Sequence, residues 1–380
     1  MTLDVLIVGA GIAGASLAWR LAGTREVMLL EAEIQPGLHS TGRSAAMYMA
    51  SYGSPQARAL TRASRGFYLQ PPAGFAEVPL VGPRGALYVG WRGQQGLLDE
   101  LRAELQATGT DIQWLDAAEC LRRVPVLRGE GLLGALCEHD ALDIDVHALH
   151  QGFLRGARRG GVELWTEARL QLALREGDRW RVTLADGREV VARTLVNAAG
   201  AWADPVAQAC GVPPLGIEPR RRSAFTFDPP EGADHRAWPA VAGVDQTWYF
   251  KPDAGQLLGS PANADPVPPH DVQPEELDIA LGIDAIQRHS TLQIRRPRRT
   301  WAGLRSFSPD GELVIGSDPA MPGFFWLAAQ GGYGIQSAPG ASELAASLLR
   351  GEPLPAACAA EGVDVAALSP ARLRQGSSRP

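Results

Sequence analysis

Lysine is almost missing from this 380-residue chain: Lys251 stands alone among 36 basic residues, so nearly all the positive charge is arginine. Cysteine is scarce too, and Cys120, Cys137, Cys210 and Cys358 form neither a C-x-x-C pair nor a metal-ligand spacing. That scatter excludes a disulfide framework and a structural zinc site, and it suits reduced thiols. No apolar run approaches the ~20 residues needed to span a bilayer. Met1 leads within a few residues into an apolar strand, which leaves no room for a secretory signal, so the expectation is a soluble, cytoplasmic protein without a transmembrane segment. Excess positive charge is also lacking. With a net charge of −6 and a pI near 5.7 there is no electrostatic reason to expect nucleic acid as a partner, and Arg295-Arg-Pro-Arg-Arg299 is not read as a nucleic-acid patch. No G-x-S-x-G elbow or Cys/His pairing points to covalent catalysis. His147 and His150, following Asp143 and Asp145, read as ordinary helix surface, and no metal site is expected.

What the chain has is the composition of a globular protein, 45% hydrophobic and 21% charged, with length enough for two domains. Its most informative stretch is Val5-Leu-Ile-Val-Gly9-Ala-Gly11-Ile-Ala-Gly14, an apolar run and three spaced glycines, followed by a helical segment and then Leu29-Leu30-Glu31. This order is that of a dinucleotide-binding βαβ unit. Gly9 permits the tight turn, Gly11 lets the backbone approach a pyrophosphate, and Gly14 lets the helix pack on the strand. Glu31 is placed to accept hydrogen bonds from an adenosine ribose. Gly129-Glu-Gly131-Leu-Leu-Gly134 also fits the pattern, but Pro125 interrupts the preceding segment and no amphipathic helix follows. Without a second fingerprint or a C-x-x-x-x-C pair, a nicotinamide-linked disulfide reductase is excluded. Either FAD held as a fixed redox group or a simple NAD site remains.

The pattern predicts strands at Leu3–Val8 and Val27–Glu31 around a helix from Ile12 to Leu21. Further on come a helix from His147 to Arg159, a strand at Val162–Trp165, a hairpin turning at Asp186-Gly187, and a strand into Asn197-Ala-Ala-Gly200. From Pro213 to Pro274 frequent prolines and short β-branched or aromatic runs read as antiparallel sheet, an inserted domain. Phe324–Ala328 then reads as a strand, Gly331–Gly334 as a turn and Ala338–Leu349 as a helix. The fold class expected is α/β: a discontinuous Rossmann-like FAD-binding domain with an inserted α+β substrate domain on a mostly antiparallel sheet. Boundaries are set at 1–50, 140–212 and 301–368 for the first and 51–139 and 213–300 for the second, with 369–380 a flexible tail.

Five segments carry a family likeness. The fingerprint with Glu31, His39-Ser-Thr-Gly42-Arg43-Ser44-Ala-Ala46, Asn197-Ala-Ala-Gly200-Ala-Trp202, Ala302-Gly-Leu-Arg305-Ser-Phe307-Ser-Pro-Asp310 and Gln330-Gly-Gly-Tyr-Gly334-Ile-Gln336 together resemble the FAD-dependent amino-acid oxidoreductases. That superfamily includes D-amino acid oxidase, glycine oxidase and sarcosine oxidase. Within it the chain is most similar to bacterial D-arginine dehydrogenase, from end to end, including Arg220-Arg-Arg-Ser-Ala-Phe225, Lys251-Pro-Asp-Ala-Gly255 and Gly259–Pro266.

The resemblance implies oxidative deamination of a D-amino acid by hydride transfer to flavin N5, giving an imino acid that hydrolyses to a 2-oxo acid and ammonia. Glycine or sarcosine oxidation with O2 is the rival reading. It also implies that Arg222 and Arg305 grip the substrate carboxylate, that Tyr249 adds a hydroxyl hydrogen bond, that Gly332 offers its carbonyl to the amine, and that Gln336 serves the site. Tyr52, within Ala50–Gln56, would cover the substrate as part of a mobile lid. A guanidinium fork matches a carboxylate bidentately, and strand alternation aims Arg222 opposite to Arg221. The FAD is expected to touch Gly9, Gly11, Gly14, Glu31, Arg43, Ser44, Ala199, Gly200, Trp202, Gly303, Gly331, Gly334, Ile335 and Gln336. It should be non-covalent, because no cysteine lies near Arg305. Where D-arginine dehydrogenase has an acid for the substrate guanidinium this chain has Ala86, and where that family has histidine and threonine it has Met47 and Met49. Apolar side chains are therefore expected to be preferred over D-arginine. Whether the electron acceptor is a quinone or O2 stays open.

Overall fold

The computed structural model describes residues 2–107 and 109–374, which build two large sheets and a small third one. In the first sheet Phe324–Ala328, Glu189–Asn197, Leu3–Val8, Val27–Leu30 and Glu163–Trp165 lie side by side in that order, all parallel. Alternation explains the arrangement. Val5 and Ile7 enter one apolar cluster while Leu6 and Val8 enter another, so both faces are covered, the condition under which all-parallel strands occur. Ile12–Leu21, Val146–Arg159 and Gly334–Arg350 supply the helices of the first cluster. The hairpin strands Leu170–Glu176 and Arg179–Leu184 extend the sheet antiparallel, and Gly187 makes the expected turn at φ 87°.

The second sheet has nine strands drawn from residues 86–138 and 218–307, antiparallel except where Ala86–Trp91 runs parallel to Ala240–Gly243. Leu87, Val241, Phe225, Trp248 and Phe250 form its core. Gly131, at φ 72°, merely turns the chain into the strand Leu132–Glu138. Arg299–Phe307 pairs along its whole length with Glu218–Phe227. Residues 301–307 therefore belong to this sheet, a correction to the boundary expected at 301. Leu142–Ile144 joins neither large sheet and pairs with Met47–Tyr48 and Val81–Pro83.

Two further expectations are corrected. The last long helix begins at Gly334, not Ala338, and so contains Pro339. Proline has no N–H for the carbonyl four residues back, which is that of Ile335; the Tyr68 hydroxyl donates to Ile335 O in its place. The chain after Leu368 is not loose as far as it is described. Ala371–Arg374 is a short helix whose Arg372 bonds Asp310 and whose Arg374 bonds Asp318. Residues 375–380 of the expected tail lie outside the described residues. Among the described residues no helix is long and apolar enough to cross a membrane.

Candidate active site

A cavity of about 310 Å³ opens at the carboxyl ends of the parallel strands, lined by Gly9, Glu31, Ala198 and Ala328 from four of them, the place where such sheets bind nucleotides. Gly9 has φ 100°, and a Cβ there would stand 2.5 Å from Ala198 O; one on Gly14 would stand 1.9 Å from Gly9 O. Glycine alone fits at both. The helix Ile12–Leu21 thus starts hard against the strand end, with Gly11 as an N-cap that supplies no side-chain bond. Thr41 Oγ1 accepts from Ile12 N at 3.0 Å, and the Glu31 carboxylate accepts from Ala10 N and Glu33 N, both at 3.1 Å. Burial raises the Glu31 pKa against the pull of those N–H groups. His150 bonds Ala10 O at 2.8 Å and is buried. It braces the glycine turn and is not helix surface, whereas His147 is exposed as expected.

Gly11, Ser44, Ala199, Gly200, Trp202, Gly303, Gly331, Gly334 and Ile335 all line this cavity. Gly14 does not; it packs the helix on the strand. Arg43 lines it too, but its guanidinium donates to Leu38 O, Val272 O and Ala302 O and pairs with Asp271. That head ties the loop to the second sheet. Ala168, Leu170 and Val206 complete an apolar wall that no motif announced. Gln330, also on the wall, has a buried Nε2 with no partner among the described residues. A glycine cradle, an uncapped helix start, an acid at the second strand end and an unspent amide are the donor set that a dinucleotide cofactor requires.

A second cavity of about 160 Å³ shares Ser44, Arg222, Tyr249, Arg305 and Gly332 with the first. Arg305 lies opposite Arg220, and Gly303 opposite Arg222, so Arg222 and Arg305 are diagonal neighbours on one face. Arg221 points the other way, ion-paired with Asp278, Glu275 and Asp265. The alternation expected for the arginine triplet is what the strand shows. Arg222 Nε donates to Asn263 O at 2.5 Å and Arg305 Nη1 to the Tyr52 hydroxyl at 2.8 Å. Burial, together with the Arg305 charge beside it, pushes Arg222 down to about 10. Two desolvated guanidiniums side by side form a site that an anion relieves.

Tyr52 lies over this pair, its ring 5.1 Å from that of Tyr333. Burial alone would raise its hydroxyl, but Arg305 and Arg222 outweigh burial and lower it. The segment Ala50–Gln56 is fastened at both ends. Glu138 accepts from Ala50 N at 2.6 Å, from Ser51 N at 3.3 Å and from the Ser51 hydroxyl, while Glu312 accepts from Ser54 Oγ at 2.6 Å and Gln56 N at 3.2 Å. Gln336 lines the second cavity. Its amide donates to Tyr52 O at 3.0 Å and accepts from Met49 N at 3.3 Å, holding the lid from beneath. A Cβ on Gly332 would meet Arg305 Nη1 at 2.7 Å, so the guanidinium occupies the space a side chain would need.

Met47, Met49 and Ala86 all line this cavity, and no aspartate or glutamate does. Gln246, Trp248 and Lys251, which sequence reasoning missed, line it as well.

Residues 4–348 match the family described as FAD dependent oxidoreductase, and the chain belongs to that family. It is an FAD-dependent oxidoreductase, with FAD as its cofactor. The chain is 24% identical over 374 residues to the glycine oxidase of Bacillus licheniformis, which covers 92% of this chain and 94% of the relative. It is 27% identical over 231 residues to the hydrogen cyanide synthase subunit HcnC of Pseudomonas aeruginosa, covering 60% of this chain and 53% of the relative, so that match spans about half of the subunit. Among solved structures, glycine oxidase from Geobacillus kaustophilus superposes with a TM-score of 0.83 at 20% identity, covering 97% of this chain and 98% of the other. L-amino acid deaminase from Proteus vulgaris gives 0.79 at 17% identity, covering 98% and 97%. At these identities the structural likeness establishes the fold.

Proposed function

We propose that the protein oxidises D-α-amino acids to imino acids, which hydrolyse to 2-oxo acids and ammonia, and that it prefers apolar or aromatic side chains to those of D-arginine or D-lysine. The observation that carries this reading is the pair of half-buried guanidiniums, Arg222 and Arg305, set where the two cavities meet with no carboxylate partner among the described residues. They bind the substrate carboxylate, and the Tyr249 hydroxyl adds a third donor. Gly332 O receives the amine, which fixes the α-carbon between the cavities. Tyr52 closes over the substrate and keeps water from the reacting bond. The glycine turn with the first helix holds the cofactor pyrophosphate, Glu31 the ribose, and Gly303 with Gly331–Ile335 the ring end. Bound FAD supplies the two-electron acceptor for the α-hydrogen and its bonding pair. The amine loses its proton to solvent or to a tyrosine hydroxyl, a modest demand near neutral pH. No cysteine lines the cofactor cavity, which supports non-covalent attachment.

The choice of D over L rests on the end-to-end likeness to D-arginine dehydrogenase. The choice of side chain rests on a pocket with Met47, Met49 and Ala86 and no acid, where a cationic head would be buried unpaired. Mixing the yellow holoenzyme anaerobically with single D- and L-amino acids, glycine and N-methylglycine tests both. D-amino acids without positive charge should bleach the flavin fastest. Bleaching by L-amino acids alone, or by N-methylglycine alone, overturns the D-amino acid reading, and D-arginine leading D-methionine overturns the side-chain preference.

A further inference from the structure

We propose that Lys251 is a specificity-determining residue, forming a subsite for a hydrogen-bond acceptor at the tip of the substrate side chain, so that a terminal carboxamide or carboxylate is favoured over a wholly apolar end. This deepens, and rests on, the reading of the site as an amino-acid oxidoreductase.

Tyr249 and Lys251 are two residues apart on the strand Tyr249–Asp253 and so share a face, and both line the substrate-side cavity. Their Cα atoms are therefore separated by ~6.6 Å along the strand, the reach of a side chain of a few heavy atoms from the carboxylate grip. The neighbouring strands continue the rows. Tyr249 is level with Ala242 and Tyr88, and the same register puts Lys251 level with Ala240, which pairs with Ala86. Ala240 and Ala86 both line the cavity, a trough floored by methyl groups with Lys251 on its wall.

That ammonium is incompletely satisfied. It has three N–H donors, and its one short bond is to Asp143 Oδ1 at 2.7 Å, with Asp253 Oδ1 at 3.8 Å. Asp143 is shared, because its other oxygen accepts from Arg84 Nε at 2.7 Å. The Lys251 side chain is only 6% exposed, so water reaches it poorly. Arg222, Arg305 and Lys251 are the cations on the cavity wall, and no acid stands among its lining residues. A carbonyl oxygen at the tip of a substrate completes the Lys251 shell, and an apolar tip leaves it short of a partner.

The test compares anaerobic flavin reduction by D-glutamine, D-glutamate and D-norleucine in wild type and in Lys251→Met. The wild type should favour D-glutamine or D-glutamate over D-norleucine by at least ~10-fold in kcat/KM, and the variant should lower that ratio at least ~10-fold, in line with the loss of a hydrogen bond to a charged group. The arm that leads tells carboxamide from carboxylate. D-norleucine leading in wild type, or an unchanged ratio in Lys251→Met, overturns the proposal while leaving amino-acid oxidation intact. No reduction by any amino acid sinks the reading beneath it. Should the variant fail to fold, the wild type still decides. Labelling lysine with nitrogen-15 marks one side-chain ammonium, and its NMR signal should move with 2-oxoglutarate and not with 4-methyl-2-oxopentanoate; an unmoved signal overturns the proposal.

Discussion

Glu138→Ala removes the carboxylate that fastens the leading end of the lid. Two of its bonds, to Ala50 N at 2.6 Å and to the Ser51 hydroxyl, are short, and the third, to Ser51 N at 3.3 Å, is long. A hydrogen bond to a charged group contributes roughly 1.5–3 kcal/mol, so the two short ones represent about 3–6 kcal/mol of gross holding energy. Glu138 is itself buried, and burial raises its pKa. Deleting it also removes that desolvation cost, which leaves a net loss of about 2 kcal/mol, a factor of roughly 30. Because Tyr52 follows Ser51 directly, the loss falls on the closed lid. Stopped-flow flavin reduction should show the apparent substrate Kd rising about 30-fold, with a smaller fall in the limiting rate. Glu138→Gln, which keeps one acceptor, should recover part of it. A lower melting temperature with unchanged Kd and limiting rate in both variants would refute the reasoning, since it would confine Glu138 to a purely structural role.

Gly14→Ala places a methyl group 1.9 Å from Gly9 O, a backbone overlap that no rotamer relieves, so the protein should purify colourless or not at all; an absorption spectrum with full flavin content contradicts the cradle. Ala86→Glu should raise kcat/KM for D-arginine about tenfold by supplying a counter-charge, and it should lower the melting temperature because position 86 lies directly across from Glu138. The Tyr52 hydroxyl is held below its ordinary value of 10 because Arg305 and Arg222 outweigh burial. As pH rises the phenolate forms and competes for Arg305, so kcat/KM should fall on an alkaline limb lying below pH 10, and Tyr52→Phe should move that limb upward. A limb that stays put in Tyr52→Phe assigns it to another group.

The parallel sheet was legible because strands buried on both faces write their burial as uninterrupted apolar runs, as Val5–Val8 and Val27–Leu30 do. Arg222 was pointed to by the family resemblance, and alternation gave its face, its neighbours Arg221 and Ser223 facing the other way. Where reading failed, a partner distant in sequence had overridden a local rule. Pro339 argued for a later helix start, and only Tyr68, folded against that helix, makes the earlier one tolerable. The head of Arg43 reaches the carbonyls of Val272 and Ala302, a contact between distant segments that no local pattern announces. Glu138 belongs to no motif, and Lys251 stands in a matched segment that gives it no role. Their positions follow from strand register, which sets Ala86 between partners that are not near it in the chain.

The bond from Tyr68 to Ile335 O also welds two moving parts into one. The helix Pro55–Leu69, which trails the lid, and the helix Gly334–Arg350 are joined there and again where Ser64 Oγ accepts from Gly340 N. Neither can swing without the other, and the second carries a wall of the cofactor cavity. Access to the pocket must then come from the few residues between the Glu138 and Glu312 fastenings, with Gly53, at φ 118°, as the pivot. Two residues, Tyr52 and Gly53, lie between those fastenings, and movement confined to them leaves the wall that Gly334 and Ile335 give the cofactor cavity in place.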